Sequence, residues 1–350
     1  MPDTLCLWLR HETRPNEHRA ALVPADARRL VEAGIRLTVE ESTQRVFPVH
    51  EYASVGCQIA PQNSWPSRCP AQGYVLGLKE LPDLPARLRH RHIFFGHAYK
   101  GQTGAEALLR RFEAGGGVLL DLESLVDADG RRLAAFGHWA GYAGASLAVL
   151  HRRGRLVAPL ARLSRPELDE RLRCSVAGES LTAVVIGAHG RSGRGACEAL
   201  RTAGVEPSRW NSAETRCLDR DALLAHDILV NAIGTSVPVG PFLTEEDLYD
   251  PQRRLSVIGD VTCDVGSRLN ALPIHDRATD WEHPVERLCR RPTALDVIAL
   301  DNLPSLLPTE ASRAFSAELW PLLLELREDS PVWERCLNAF RRAAGSLTDE

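Results

Sequence analysis

A chain of 350 residues with 44% hydrophobic and 25% charged residues is globular in composition and too long for one ordinary core, so two domains are expected. A formal net charge of −4 removes any general electrostatic case for nucleic acid or an anionic membrane surface, and no apolar run is long enough to span a bilayer. Small-molecule chemistry is what remains.

The first residues, "MPDTLCLWLRHETRP", lack the apolar stretch of a signal peptide, so a cytoplasmic protein is expected. "TLCLWLR" (4–10) reads as a strand, and "RHETRPNEHRAALVP" (10–24) as a loop carrying Arg14 and Arg19 ahead of a helix. Arginines so placed commonly clamp carboxylates in a bidentate fork, or are simply solvated. "PADARRLVEAGI" (24–35) is a helix with proline in its first turn, and "RLTVEES" (36–42) the next strand. "GYVLGLKEL" and "RHIFFGHAY" read as two further strands whose carboxyl ends carry Lys79 and His97. Ligands of open α/β sheets sit at such ends.

"HWAGYAGASLAVLHRRG" (138–154) is a long helix with glycine and alanine on one side, of the kind that joins two domains, and a polar, arginine-rich stretch (152–180) follows. The chain then restarts with "LTAVVIGAHGRSGRGACEALRTAGV" (181–205), a strand running into Gly187-x-x-Gly190-x-x-Gly193 and a helix. Glycines there allow a tight turn and bring a pyrophosphate close to the free N–H groups of the helix start, so a dinucleotide is the expected ligand. The acid that usually holds the ribose hydroxyls about twenty residues on is replaced by Asn211, and Arg209 and Arg216 lie close by, so NAD is expected with NADP left open. "HDILVNAIG" and "RLSVIGDVTCD" are later strands of the same sheet, the second ending in Asp260 and Asp264. "ALDVIALDNLPSLLP" (294–308) places Asp301 and Asn302 before a proline-bounded turn, and an amphipathic helix (311–329) then returns toward the first domain.

Two residue types bear directly on chemistry. Of 42 Lys+Arg residues only Lys79 and Lys100 are lysine, and lysine, unlike arginine, can give up its proton in a suitable site. His97, beside Phe94 and Phe95, pairs naturally with them as an acid/base group. The nine cysteines are odd in number, widely spaced and without a CxxC pair, so reduced thiols are expected, with no disulfide and no metal centre.

"LRHETRPNEHRAALVP", "GLKELP", "GHAYKGQ", "DADGRRLAAFG", the GAHGRSGRGA loop and "DNLPSLLPTEAS" occur in an order that resembles the lysine-forming saccharopine dehydrogenases of fungal type, relatives of alanine dehydrogenase and of the N-terminal part of transhydrogenase. The resemblance runs from about residue 4 to 320. It implies two Rossmann-like α/β domains, with parallel-type sheets flanked by helices and the active site in the interdomain cleft. The catalytic domain would be residues 1–136 with 309–350, and the dinucleotide domain 137–308. It implies oxidation of saccharopine by NAD to L-lysine and 2-oxoglutarate, with Lys79 as the base at the secondary amine and His97 as the acid/base for imine hydrolysis. Arg19, Glu80, Lys100, Gln102, Glu123, Arg132 and Phe136 match substrate positions. Gly187, Gly190, Arg191, Ser192, Gly193, Asn211, Thr215, Arg131, Val261, Leu300, Asp301, Asn302 and Leu303 match the cofactor side. An opine-type dehydrogenase of another amine, or a nucleotide-binding protein without catalysis, are the alternatives, and a monomer and a dimer are both open.

Overall fold

The computed structural model describes residues 5–99, 104–176, 180–235, 237–327 and 330–345. The chain divides into two compact units, Met1–Ala135 with Ala311–Glu350, and Phe136–Glu310. Among the described residues no helix is long and apolar enough to cross a membrane.

The first unit opens with β1 (Cys6–Leu9), α1 (Pro24–Glu32), β2 (Arg36–Glu40), α2 (Val49–Ser54), β3 (Gln58–Ala60), α3 (Trp65–Arg68), β4 (Tyr74–Leu76), β5 (Arg91–Phe94), α4 (Ala105–Gly115) and β6 (Val118–Asp121). The strands form one sheet in the order β3-β2-β1-β4-β5-β6, and every pairing is parallel. Parallel strands are covered on both faces, which is why the inner ones read as continuous apolar runs such as Leu7–Leu9 and Ile93–Phe94, nearly all of it buried. The strand order reverses between β1 and β4, and such reversals are where ligands of open α/β sheets bind.

The second unit contains α5 (Gly137–Arg152), α6 (Arg165–Cys174), β7 (Ala183–Ile186), α7 (Arg191–Thr202), β8 (Pro207–Trp210), α8 (Ser212–Arg216), α9 (Arg220–Leu224), β9 (Ile228–Asn231), β10 (Val257–Asp260), β11 (Glu286–Cys289) and β12 (Leu295–Ile298). Its sheet runs β11-β12-β10-β9-β7-β8, parallel except for the antiparallel edge strand β11, with the reversal between β7 and β9. The glycines of α5 have a definite purpose here. A Cβ on Gly141 would stand 1.7 Å from the Ser192 carbonyl oxygen, and one on Gly195 1.9 Å from that of His138, so α5 and α7 touch backbone to backbone.

The polar stretch after α5 holds α6, started by Ser164, whose hydroxyl accepts the Glu167 N–H while Glu167 takes the Ser164 N–H. After α10 (Pro308–Leu324) and α11 (Pro331–Gly345) the first unit is complete. Ser312 and Ser316 on α10 accept the N–H groups of Ala20 at 2.8 Å and Val23 at 3.0 Å, which satisfies loop donors ahead of α1 that have no strand partner.

Candidate active site

In the first unit, four neighbouring strands each contribute a polar residue at or just past the carboxyl end. Beyond β1 lies Arg10, buried to 1% exposure, its guanidinium bonding the carbonyl oxygens of His11 and Lys79 and pairing with Glu12 at 3.3 Å. Gly77 makes this possible, because a Cβ there would stand 2.3 Å from Arg10 Nε. Buried Glu12 in turn accepts the N–H groups of Leu78 at 2.7 Å and Lys79 at 3.0 Å. The backbone around Lys79, past β4, is thus held on both sides by a buried ion pair, and the side chain is positioned independently of its own charge. Burial drives the Glu12 carboxyl above its usual range, against the opposing pull of Arg10 and the two N–H groups.

Lys79 is itself buried and faces two titratable groups. One is Glu17, wholly buried, which receives Arg19 as a two-pronged fork with Nε at 2.8 Å and Nη2 at 2.6 Å. Burial alone would raise the Glu17 pKa, but the charges of Arg19 and Lys79 bring it below the ordinary carboxylate value, so Glu17 is an anion beside Lys79. The other is His97, which follows β5 with φ +49°, a left-handed conformation that a side chain adopts at some cost. Its Nδ1 lies 3.5 Å from Glu123 Oε1, past β6, and the same oxygen accepts Arg132 Nη2 at 2.9 Å. The hydrogen bond that His97 donates to Glu123 raises the His97 pKa above its ordinary value, while burial and the charge of Lys79 oppose it. Lys79, His97, Glu123 and Arg132 are therefore brought together with Arg19 and Glu17.

Four other residues were expected at the substrate. Glu80 is exposed and meets Arg14 at 3.4 Å. Phe136 precedes α5 in the second unit and is half-buried. Lys100 and Gln102 lie outside the described residues. Glu12, Glu17 and Arg10 were not foreseen; the only sequence signal was the density of charge in "LRHETRPNEHR".

The second unit carries a cavity of about 1120 Å³ at the reversal between β7 and β9. Gly187, at φ +81°, turns the chain out of β7, and a Cβ there would stand 2.8 Å from the Ala232 carbonyl oxygen past β9. Gly193 lets α7 begin against the turn, since its Cβ would sit 2.1 Å from the Gly187 carbonyl oxygen. A cradle that any side chain would fill, opening on the first turn of a twelve-residue helix, fits a dinucleotide pyrophosphate. Of the expected cofactor residues, Gly187, Gly190, Asn211 and Thr215 line the cavity, together with His189, Ser212, Arg216 and Arg220.

Arg191 and Ser192 open α7 without lining it, and Arg131 lies on the first unit in an exposed turn with Asp129. Val261 and Leu303 pack around Gly144 of α5, where a Cβ would meet them at 2.6 Å and 3.2 Å. Leu300 and Asn302 are buried and Asp301 is exposed. Arg209 pairs with Glu206 at 3.9 Å, away from the cavity. All nine cysteines are free thiols, and burial pushes Cys263, next to Asp260, up to about 12, which keeps it unreactive.

Over 97% of its length the chain is 41% identical to the saccharopine dehydrogenase (NAD(+), L-lysine-forming) of Emericella nidulans, covering 98% of that protein. It is 40% identical to the enzyme of the same name from Schizosaccharomyces pombe, over 97% of this chain and 99% of that one. The chain belongs to the saccharopine dehydrogenase (NAD+, L-lysine-forming) family. Residues 8–143 also match the family model described as alanine dehydrogenase/PNT, N-terminal domain. Among solved structures, an L-alanine dehydrogenase aligns with a TM-score of 0.68 at 18% identity, covering 97% of this chain and 94% of that one. A transhydrogenase from Sinorhizobium meliloti aligns with a TM-score of 0.67 at 16% identity, covering 92% and 94%. At those identities the likeness speaks for the fold, and the two-sheet Rossmann-type architecture expected for saccharopine dehydrogenases is the one observed.

Proposed function

We propose that this chain interconverts saccharopine with L-lysine and 2-oxoglutarate, using a nicotinamide dinucleotide held by the glycine turn of the second unit. The observation that carries the reading is the pair Lys79 and His97, at the carboxyl ends of the adjacent parallel strands β4 and β5 and within electrostatic reach of each other. The names of the relatives support the substrate and the redox class.

When bound, the dinucleotide accepts the hydride that leaves the amine-bearing carbon of saccharopine. The secondary amine has to be neutral for this, and the unprotonated form of Lys79 takes its proton. The resulting protonated imine is hydrolysed: His97 removes a proton from water as oxygen bonds to carbon and returns it to nitrogen, and as the carbon–nitrogen bond breaks and lysine leaves, the new hydroxyl gives its proton to His97 and becomes the keto oxygen of 2-oxoglutarate. Glu123 orients His97 through Nδ1 and so leaves Nε2 for water. Saccharopine carries three carboxylates, and Arg19 and Arg132, with Lys100, Gln102, Glu80 and Phe136, are assigned to its recognition. Because both arginines already hold carboxylates of the protein, Glu17 and Glu123, they would bind substrate with their remaining N–H groups or by exchanging partners. Gly187, Gly190, Gly193, Arg191 and Ser192 are assigned to the pyrophosphate, and Asn211 and Thr215 to the adenosine ribose. Arg131, Val261, Leu300, Asp301, Asn302 and Leu303 complete the cofactor set.

The test is the initial rate of reduced-nicotinamide oxidation with 2-oxoglutarate and L-lysine, beside a panel of other amines. A rate that requires lysine is expected. Turnover with another amine alone would keep the Lys79–His97 chemistry and replace the substrate, and cofactor binding without turnover on any amine would remove the catalytic reading.

A further inference from the structure

The cavity beside the glycine turn has a chemical bias that neither the glycines nor the family name explains. Among the described residues no carboxylate lines it, whereas His189, Arg216 and Arg220 do. In dinucleotide folds the residue at the end of the second strand is an acid that accepts both ribose hydroxyls and repels a 2′-phosphate. Here the residue after β8 is Asn211, and its amide is already committed in a way that fixes what it offers. Oδ1 accepts the His189 N–H at 3.1 Å, an assignment the backbone donor dictates, so Nδ2 is the donor; His189 Nε2 stands 3.3 Å from it, and the second N–H of Nδ2 is left for a ligand. A donor suits a phosphate oxygen and is the weaker choice for holding a hydroxyl that an acid would hold.

The surroundings agree with it. Ser212 and Arg216 stand four residues apart on α8 and so on one face of it, and both line the cavity. Arg216 has no hydrogen-bond or ion-pair partner among the described residues. Arg220 is the less available cation, bonding the Pro241 carbonyl oxygen at 3.2 Å and standing 3.8 Å from Asp247. The nearest acid on α8, Glu214, does not line the cavity, because it turns back to accept the Asn211 N–H at 2.6 Å.

We propose that this chain binds the dinucleotide bearing a phosphate on the adenosine 2′-oxygen, with Arg216, Ser212 and the Asn211 amide as the phosphate's partners. The inference rests on the reading of the cavity as the adenosine end of the dinucleotide site. Its test is equilibrium binding to the full chain by calorimetry, with NADPH, NADH, adenosine 2′,5′-bisphosphate and adenosine 5′-monophosphate as probes. The expected result is NADPH bound as tightly as NADH or tighter, with the bisphosphate at least about fivefold tighter than the monophosphate. In Arg216→Gln the bisphosphate should lose about tenfold while the monophosphate changes by less than about twofold, and Asn211→Asp should move preference toward NADH. NADH bound well and NADPH more weakly, or an Arg216→Gln variant that weakens both adenosine probes equally, would overturn the phosphate site and leave the dinucleotide reading intact. Binding of none of the four probes would overturn both.

Discussion

Lys79→Met isolates the chemistry of the first unit from its architecture. The backbone of Lys79 is held by Glu12 at its N–H and Arg10 at its carbonyl oxygen, neither of which involves the side chain. Methionine fills nearly the same volume, and Glu17, which loses the facing ammonium, keeps its two-pronged bond to Arg19. Folding and nucleotide binding should therefore persist, the latter because every lining residue of the cavity is in the second unit. Turnover should not. Loss of a positioned acid/base group typically costs about 10²–10⁴-fold, equivalent to about 2.7–5.4 kcal/mol of barrier at 1.36 kcal/mol per decade. A second signature comes from His97, whose pKa the charge of Lys79 holds down: with that charge gone, His97 keeps its proton to higher pH, and the limb it sets in the residual pH profile should move upward. Steady-state kcat across about pH 6–10, with NADH and NADPH affinities measured in parallel, reads both effects. Residual turnover within about tenfold of the parent protein, or nucleotide affinity lost together with turnover, would refute the role given to Lys79.

Glu123→Gln removes the bond that chiefly raises the His97 pKa, so the same limb should move to lower pH; an unmoved pH profile would detach Glu123 from His97. In Gly193→Ala the new methyl would lie 2.1 Å from the Gly187 carbonyl oxygen. The overpacking cost of about 1–3 kcal/mol exceeds the about 0.5–1 kcal/mol gained in helix propensity, so urea denaturation should show net destabilisation and calorimetry a loss of nucleotide affinity of at least about tenfold. The buried pair His275–Asp260, 3.2 Å apart, makes stability depend on pH. Burial opposes the charge on His275, but the hydrogen bonds to Asp260 and the Arg277 carbonyl, with the charges of Asp260 and Glu286, raise its pKa in the folded state. The stability this contributes is complete below the unfolded histidine value of about 6.5 and is lost as pH rises through the folded value. His275→Gln should flatten the decline in unfolding free energy above neutrality, and an unchanged slope would mean that the pair is not charged.

How far these sites were legible in the sequence follows from the range over which each residue acts. The glycine turn was legible because its demands are local: one residue at φ +81° and one with no room for a Cβ within six positions of it. Lys79 was legible for a different reason, as a departure from an otherwise all-arginine composition at a strand end. The strand itself is only three residues long but sits inside the longer apolar run "GYVLGLKEL", whereas β3, of three residues, and β6 and β12, of four, show no period that sets them apart and were not read as strands. Charge was the hardest to read. Arg19 stands two residues from Glu17, and nothing in "NEHR" says whether that arginine faces a ligand or the neighbouring glutamate; burial decides, because two charges removed from water at 0% and 4% exposure have to meet each other. Arg209 and Arg216 posed the same problem, equally near Asn211 in sequence. Arg209 lies on β8 and pairs with Glu206, whereas one further turn of chain carries Arg216 onto α8 and into the cavity wall. Whether an arginine faces a ligand, a carboxylate of the fold or both is a property of the tertiary neighbourhood, to which sequence proximity is blind.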